Sequence, residues 1–171
     1  MVERSVIKSH HLEQCGANTM TTPIQNVPAL FVGSFTHALD SKRRMIFPSS
    51  WRNLSGDSNH LFAFPHPEQR CLYLYTSAEM MRRLDMLRSG SGLDRSDEQA
   101  VRSITAGAEM LVWDAQGRIR IGDSLLAHIE AQNQVVLVGA MTRIELWSAE
   151  HFDLALPRDS STAENVFFGG Y

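Results

Sequence analysis

Four cationic side chains, Lys42, Arg43, Arg44 and Arg52, fall within eleven residues of this chain. Arginine offers a planar fork of N–H donors that matches a phosphate or the O6/N7 edge of guanine, and lysine adds a mobile point charge. Such a set suits the binding of a polyanion rather than the making of bonds. Asp40 stands just ahead of it, where a carboxylate can accept hydrogen bonds from the amides of a tight turn or pair with Arg44. The pattern returns 74 residues later: Gly33 falls on Gly107, Asp40 on Asp114, Arg44 on Arg118 and Ser50 on Ser124, while Met45 and Phe47 fall on Ile119 and Ile121. The second copy has Gln116 and Gly117 in place of Lys42 and Arg43. Polyanion binding is therefore expected in the first copy, with Arg43 as an auxiliary phosphate contact and Arg118 mainly structural. A run of cations is also compatible with a plain solvated face, and charge alone does not separate the two.

Other chemistry is thin. No Ser-His-Asp order, paired-carboxylate signature or Gly-rich phosphate loop is present, so no catalytic residue, cofactor or small-molecule substrate is expected. His37 shares a strand face with Phe35 and Leu39 and reads as a packed histidine. His66, His128 and His151 lack acidic or thiol neighbours at ligand spacing, and His10-His11 with Cys15 reads as part of a polar arm, so no metal site is expected. Cys15 and Cys71 form no CxxC, which argues against zinc or a disulfide framework and fits a reducing cytoplasm. The first twenty residues mix charges without an apolar run, so neither a signal peptide nor a membrane span is read there. The net charge of −3 is unevenly spread: Glu145, Glu150, Asp153, Asp159 and Glu164 load the C-terminal end with acid, and the first turn is basic.

The elements that must hold these turns follow from pattern. Residues 1–29 lack a period and read as an irregular arm, in which Met20 is a second candidate start. Phe31 to Leu39 alternates as a half-buried strand, turns at Asp40, and resumes as a strand at Arg44-Met45-Ile46-Phe47. Gly117 suits the positive φ that such turns often need. Arg43 at the matching place must go left-handed, at roughly 1 kcal/mol, or change the turn. Pro48 opens a short helix to about Leu54. Strands follow at 61–64 and 71–75. A helix capped by Ser77 carries Met80, Met81, Leu84 and Leu87 on one face, and Ser89-Gly90-Ser91-Gly92 ends it. Ser96 with Gln99 reads as a capping box for the next helix. The second copy repeats the plan with strands near 108–113, 118–121, 134–139 and 143–147, a helix from about Asp123 to Glu130, and a short helix from Ser148. The expected divisions are a first module at 30–76, connecting helices at 77–104, a second module at 105–155, and a tail at 156–171 whose aromatics could dock on a neighbour. A unit of about 45 residues buries too little alone. The two copies are expected to share one core, with the strands of each pairing with the other's.

With these residues in view the chain resembles the MraZ family of bacterial transcriptional regulators. The resemblance rests on Gly33…His37-x-Leu39-Asp40-Ser41-Lys42-x-Arg44…Pro48-x-x-Trp51-Arg52, on Leu72-Tyr73-Leu74-Tyr75, on Asp114-x-x-Gly117-Arg118, and on Val136-Leu137-Val138-Gly139 with Glu145-Leu146-Trp147. It implies a mainly β fold with short helices (α+β), made of two tandem AbrB-like swapped-hairpin modules that form a pseudo-twofold β-barrel. It implies DNA contact through the Asp-x-Lys-Gly-Arg turn, which falls on Lys42 and Arg44 and, less directly, on Arg118. Asp40, Asp114 and Gly117 would then shape the turns. It further implies a homo-oligomeric ring, cytoplasmic and nucleoid-associated, that binds double-stranded DNA at short direct repeats in its own promoter, usually as a repressor of the division and cell-wall gene cluster. Two residues depart from the family pattern: Arg43 replaces the turn glycine, and Gly122 follows the second-copy strand. A rival reading is a ring-forming interaction module whose altered turn no longer binds DNA.

Overall fold

A computed structural model describes residues 29–89 and 95–155. The chain runs β1 (Ser34–Ala38), β2 (Arg44–Ile46), α1 (Ser49–Leu54), β3 (His60–Pro65), β4 (Cys71–Tyr75), α2 (Ser77–Ser89), α3 (Arg95–Ala106), β5 (Glu109–Val112), β6 (Arg118–Arg120), α4 (Asp123–His128), β7 (Gln134–Ala140), β8 (Arg143–Ser148) and α5 (Ala149–Ala155). It is mainly β with short helices, as expected. The arm, the Ser-Gly run from Gly90 to Gly92 and the tail lie outside the described residues.

Six strands form one antiparallel sheet in the order β1-β7-β8-β4-β3-β5, and β2 pairs with β6 in a separate ribbon. The two halves are interleaved, because β1 pairs with β7, β2 with β6, β3 with β5, and β4 with β8. The pairing respects the 74-residue exchange: Thr36 lies opposite Val136, and its counterpart Met110 lies opposite Phe62. The ribbon bridges the sheet's two edges. The tight turn from β1 leads into β2 on one side, and a bridge between Trp113 and Ile119 ties β5 to β6 on the other. The circuit is barrel-like, although the six-stranded ladder itself ends at β1 and β5.

Alternation sends Leu61, Ala63, Leu72, Leu74, Leu111, Val135, Leu137, Ile144 and Leu146 inward, where they meet Met45, Phe47 and Trp51 of the first copy and Ile119, Ile121 and Leu125 of the second. One core from two copies is what neither could bury alone. Gly139 is required at the β1–β7 edge, since a Cβ there would run into the backbone of Phe31 and Val32.

Several local readings change. Pro48 is the N-cap of α1 rather than its first residue, and its carbonyl accepts from Trp51 and Arg52. Ser96 lies inside α3, so it is not the cap. The β1 face is only partly covered: Phe31 is buried, but Phe35 is 36% exposed at this edge strand, where it packs edge-on against Trp51. His37 stacks on Phe35, its Nε2 is buried without a partner, and burial lowers its pKa. In α2 the only buried side chain is Glu79, while Met81, Met86 and Leu87 stand exposed.

Candidate nucleic-acid interface

Each copy builds the same clasp at its first turn. In the first, Arg43 N–H donates to the Asp40 carbonyl (2.9 Å), and Lys42 N–H and Arg44 N–H donate to Asp40 Oδ1 (2.8 and 2.9 Å). Arg44 Nε and Nη2 then grip Asp40 Oδ2, both at 2.8 Å. In the second, Gly117 N–H reaches the Asp114 carbonyl (2.8 Å), Gln116 N–H and Arg118 N–H reach Oδ1 (2.9 and 3.0 Å), and Arg118 Nε and Nη2 reach Oδ2 (2.8 and 2.7 Å). The arginine fork first, and the amides second, hold both carboxyls below the usual range, that of Asp114 at about 2. Each clasp consumes two of an arginine's five N–H donors and fixes the guanidinium, leaving the rest to an outside acceptor.

The turns differ most at the residue before the arginine. Arg43 takes the left-handed conformation (φ 59°), matching Gly117 (φ 76°). Its guanidinium folds back, donating from Nη1 to the Gln132 carbonyl (3.0 Å) and lying 4.0 Å from Asp123. An arginine expected to face phosphate is thus engaged with its own chain. A Cβ on Gly117 would meet the Arg52 guanidinium, the far end of a flexible side chain that would have to move aside. The 74-residue exchange puts Leu126 in the place of Arg52. No guanidinium therefore covers the first turn, and a side chain is tolerated at 43.

The ribbon then joins the two turns into one surface. Its register sets Arg44 opposite Arg120, Met45 opposite Ile119 and Ile46 opposite Arg118. Met45 and Ile119 are buried, so Arg44, Ile46, Arg118 and Arg120 occupy the outward face. Arg44 directly across from Arg120 is an unfavourable cross-strand pair. Asp40 on one side and Asp123, 3.7 Å from Arg120, on the other offset it only in part. Lys42 is exposed and makes no ion pair among the described residues. Arg52, from the first copy, lies against the second copy's turn, with its Nε buried and unpartnered. The ribbon sets Arg44 of the first copy beside Arg118 and Arg120 of the second, with Lys42 exposed at the first turn, Arg52 against the second turn and Arg43 turned toward Gln132 and Asp123. Sequence reasoning missed Arg120, although the alternation Arg118-Ile119-Arg120 puts both arginines on one face.

The remaining candidates are occupied locally. His66 Nδ1 accepts from the amides of Glu68 and Gln69, His128 Nε2 lies 3.2 Å from the Gln69 carbonyl, and His151 Nε2 lies 3.1 Å from Glu130. Cys71 is a buried free thiol whose pKa burial pushes up to about 12. Among the described residues no three His, Cys, Asp or Glu side chains could hold a metal ion, and no helix is long and apolar enough to cross a membrane.

Comparison with known proteins points the same way. A family model of the MraZ protein, described as antitoxin-like, matches residues 104–165, which include the second clasp. The chain is 33% identical over 123 residues to the transcriptional regulator MraZ of Alkaliphilus metalliredigens, an alignment covering 72% of this chain and 84% of that protein. It is 33% identical over 138 residues to that of Natranaerobius thermophilus (80% and 94%) and 28% identical over 144 residues to that of Micrococcus luteus (82% and 99%).

Proposed function

The chain belongs to the MraZ family, and on that premise we propose that it is a transcriptional regulator, not an enzyme, that binds double-stranded DNA through the outward face of the β2–β6 ribbon and its two clasped turns. The observation that carries this reading is the pairing of Arg44 with Arg120 across the ribbon beside Arg118. A stable fold that sets like charges opposite one another leaves attraction for an anionic partner. A two-stranded ribbon is also a shape the major groove of B-DNA admits. Arg44 and Arg118 arrive with rigid forks, suited to the edge of guanine, and Lys42 is a point charge suited to phosphate. One ribbon makes few contacts. A homo-oligomeric ring presenting several of them to short direct repeats in the protein's own promoter would supply affinity by raising the local concentration of binding sites. In this reading it acts in the cytoplasm, at the nucleoid, usually as a repressor of the division and cell-wall cluster.

The engagement of Arg43 with Gln132 and Asp123 favours a second reading, a ring-forming interaction module without sequence-specific DNA binding. Fluorescence anisotropy with DNA from upstream of the gene and with scrambled DNA, at two salt concentrations, separates them. The regulator prefers the upstream DNA, and log affinity falls linearly with log salt with a slope that loses about 0.9 for each phosphate contact removed per bound ribbon. Equal, salt-insensitive or absent binding to both DNAs refutes it.

A further inference from the structure

The first half of the chain carries an apolar groove, and the second half carries a helix that fits it. Alternation in β3 and β4 buries Leu61, Ala63, Leu72 and Leu74 and turns Phe64 and Tyr73 to the opposite side. There they line a groove of about 620 Å³ with Met86 and Leu87 of α2 and Ile104 of α3. Met86 is 61% exposed and Ile104 45%. No residue of α3 from 96 to 106 is buried, and α2 buries Glu79 alone, so both helices keep apolar side chains in solvent. The rim is cationic. Arg82 and Arg83 share the single carboxylate of Glu79, at 2.7 and 2.9 Å, so one positive charge remains uncompensated.

α5 complements this groove in both apolarity and sign. It packs on β7 and β8. His151, whose Nε2 lies 3.1 Å from Glu130, and the half-buried Phe152 mark the side of the helix turned to its own chain. Glu150, Asp153 and Leu154, spaced i, i+3 and i+4, share the opposite side. Leu154 is 78% exposed, more than any other large apolar side chain among the described residues. Glu150 and Asp153 are exposed and form no ion pair among the described residues. An apolar anchor flanked by charges opposite to those of the rim is what a helix needs to seat in a groove. Leu154 stands in solvent, so α5 does not fill the groove of its own molecule. The groove belongs to one half of the chain and the helix to the other, so contact between two copies would run head to tail, a pattern that continues from copy to copy until a ring closes.

We propose that α5 of a second copy occupies this groove, with Leu154 between α2 and α3 and with Glu150 and Asp153 against Arg82 and Arg83. The proposal rests on the homo-oligomeric reading above and names the surfaces that meet. Disulfide trapping in the full chain tests it. With Cys15→Ser and the buried Cys71 retained, Thr105→Cys in the groove lining is combined with Ala155→Cys beside the anchor, and a reference chain carries Asp57→Cys with Ala155→Cys. Mild oxidation should link the first kind of chain into a ladder of multimers at least about tenfold faster than the reference, because docking holds the two thiols at millimolar effective concentration. Leu154→Asp on the helix and, separately, Ile104→Glu on the groove wall should each return the rate to the reference. Leu154→Asp changes a solvent-facing side chain and leaves the groove itself untouched. Linking at the reference rate, a product confined to one chain, or indifference to both substitutions would overturn the proposal. Light scattering on the same samples separates its failure from that of the oligomeric reading. Oligomers that link no faster than the reference would refute this contact and leave the oligomer standing, whereas a monomer would refute both. No DNA enters the assay, so DNA recognition is tested apart from it.

Discussion

Replacing Arg43 separates what its backbone costs from what its side chain contributes. The left-handed φ of 59° costs an L-residue about 1–2 kcal/mol. Glycine escapes that cost but loses about 0.5–1 kcal/mol more chain entropy on folding, so glycine at this site should be favoured over alanine by about 0.5–1 kcal/mol. Against this stand the 3.0 Å bond from Arg43 Nη1 to the Gln132 carbonyl, worth about 0.5–1 kcal/mol at an exposed site, and a 4.0 Å approach to Asp123 that adds little. Arg43→Ala keeps the strain and loses the bond, so it should destabilise by about 0.5–1 kcal/mol. Arg43→Gly loses both and should lie within about 0.5 kcal/mol of the parent. Urea unfolding of the three proteins at one fixed protein concentration measures this, since oligomerisation would make apparent stability concentration-dependent. If Arg43→Gly is no more stable than Arg43→Ala, the backbone at 43 is not strained and the account of the turn fails.

In the second turn, Gly117→Ala puts an L-residue at positive φ and displaces the Arg52 guanidinium, and should lower the urea midpoint. Gly139→Ala, pressed against the Phe31–Val32 backbone, should cost about 1–3 kcal/mol by overpacking, read as a fall in Tm. The folded-state pKa of Asp114 is depressed from 3.8 to about 2, so its contribution is complete above about pH 4 and is lost as pH falls through 2. The stability gap between the parent and Asp114→Asn should accordingly be constant near neutrality and close between pH 4 and pH 2. In DNA binding, Arg120→Ala should lower the salt slope and Arg44→Lys should relax discrimination by about 1–3 kcal/mol, both read by anisotropy. An unchanged slope in Arg120→Ala would remove the ribbon face from the interface.

The clasp was legible because it is local: an aspartate four residues before an arginine, twice, at one offset, needs only the geometry of a turn. The shared core was legible from the size of the copies. The surface was not, because comparing the copies side by side aligns Arg44 with Arg118, whereas the antiparallel ribbon places Arg44 against Arg120. Equivalence under the repeat and contact in space are different relations. The cover of Gly117 by Arg52, which the first turn lacks, joins residues far apart in sequence, and no pattern within either turn encodes it. Phe35 alternates as a buried residue would, but periodicity cannot tell an edge strand from a central one.

The interleaved pairing also sets an order of events during synthesis. Ser34 finds its partner at Val138, and Arg44 finds its partner at Arg120, so β1 and β2 leave the ribosome with their pairing edges open until most of the chain has followed. Such non-local pairing folds slowly, and unpaired strands invite association with other unfinished chains. The first half of this protein must stay uncommitted while the second is made. A message broken between the copies would therefore yield a chain destined for chaperones or proteases, rather than a smaller regulator.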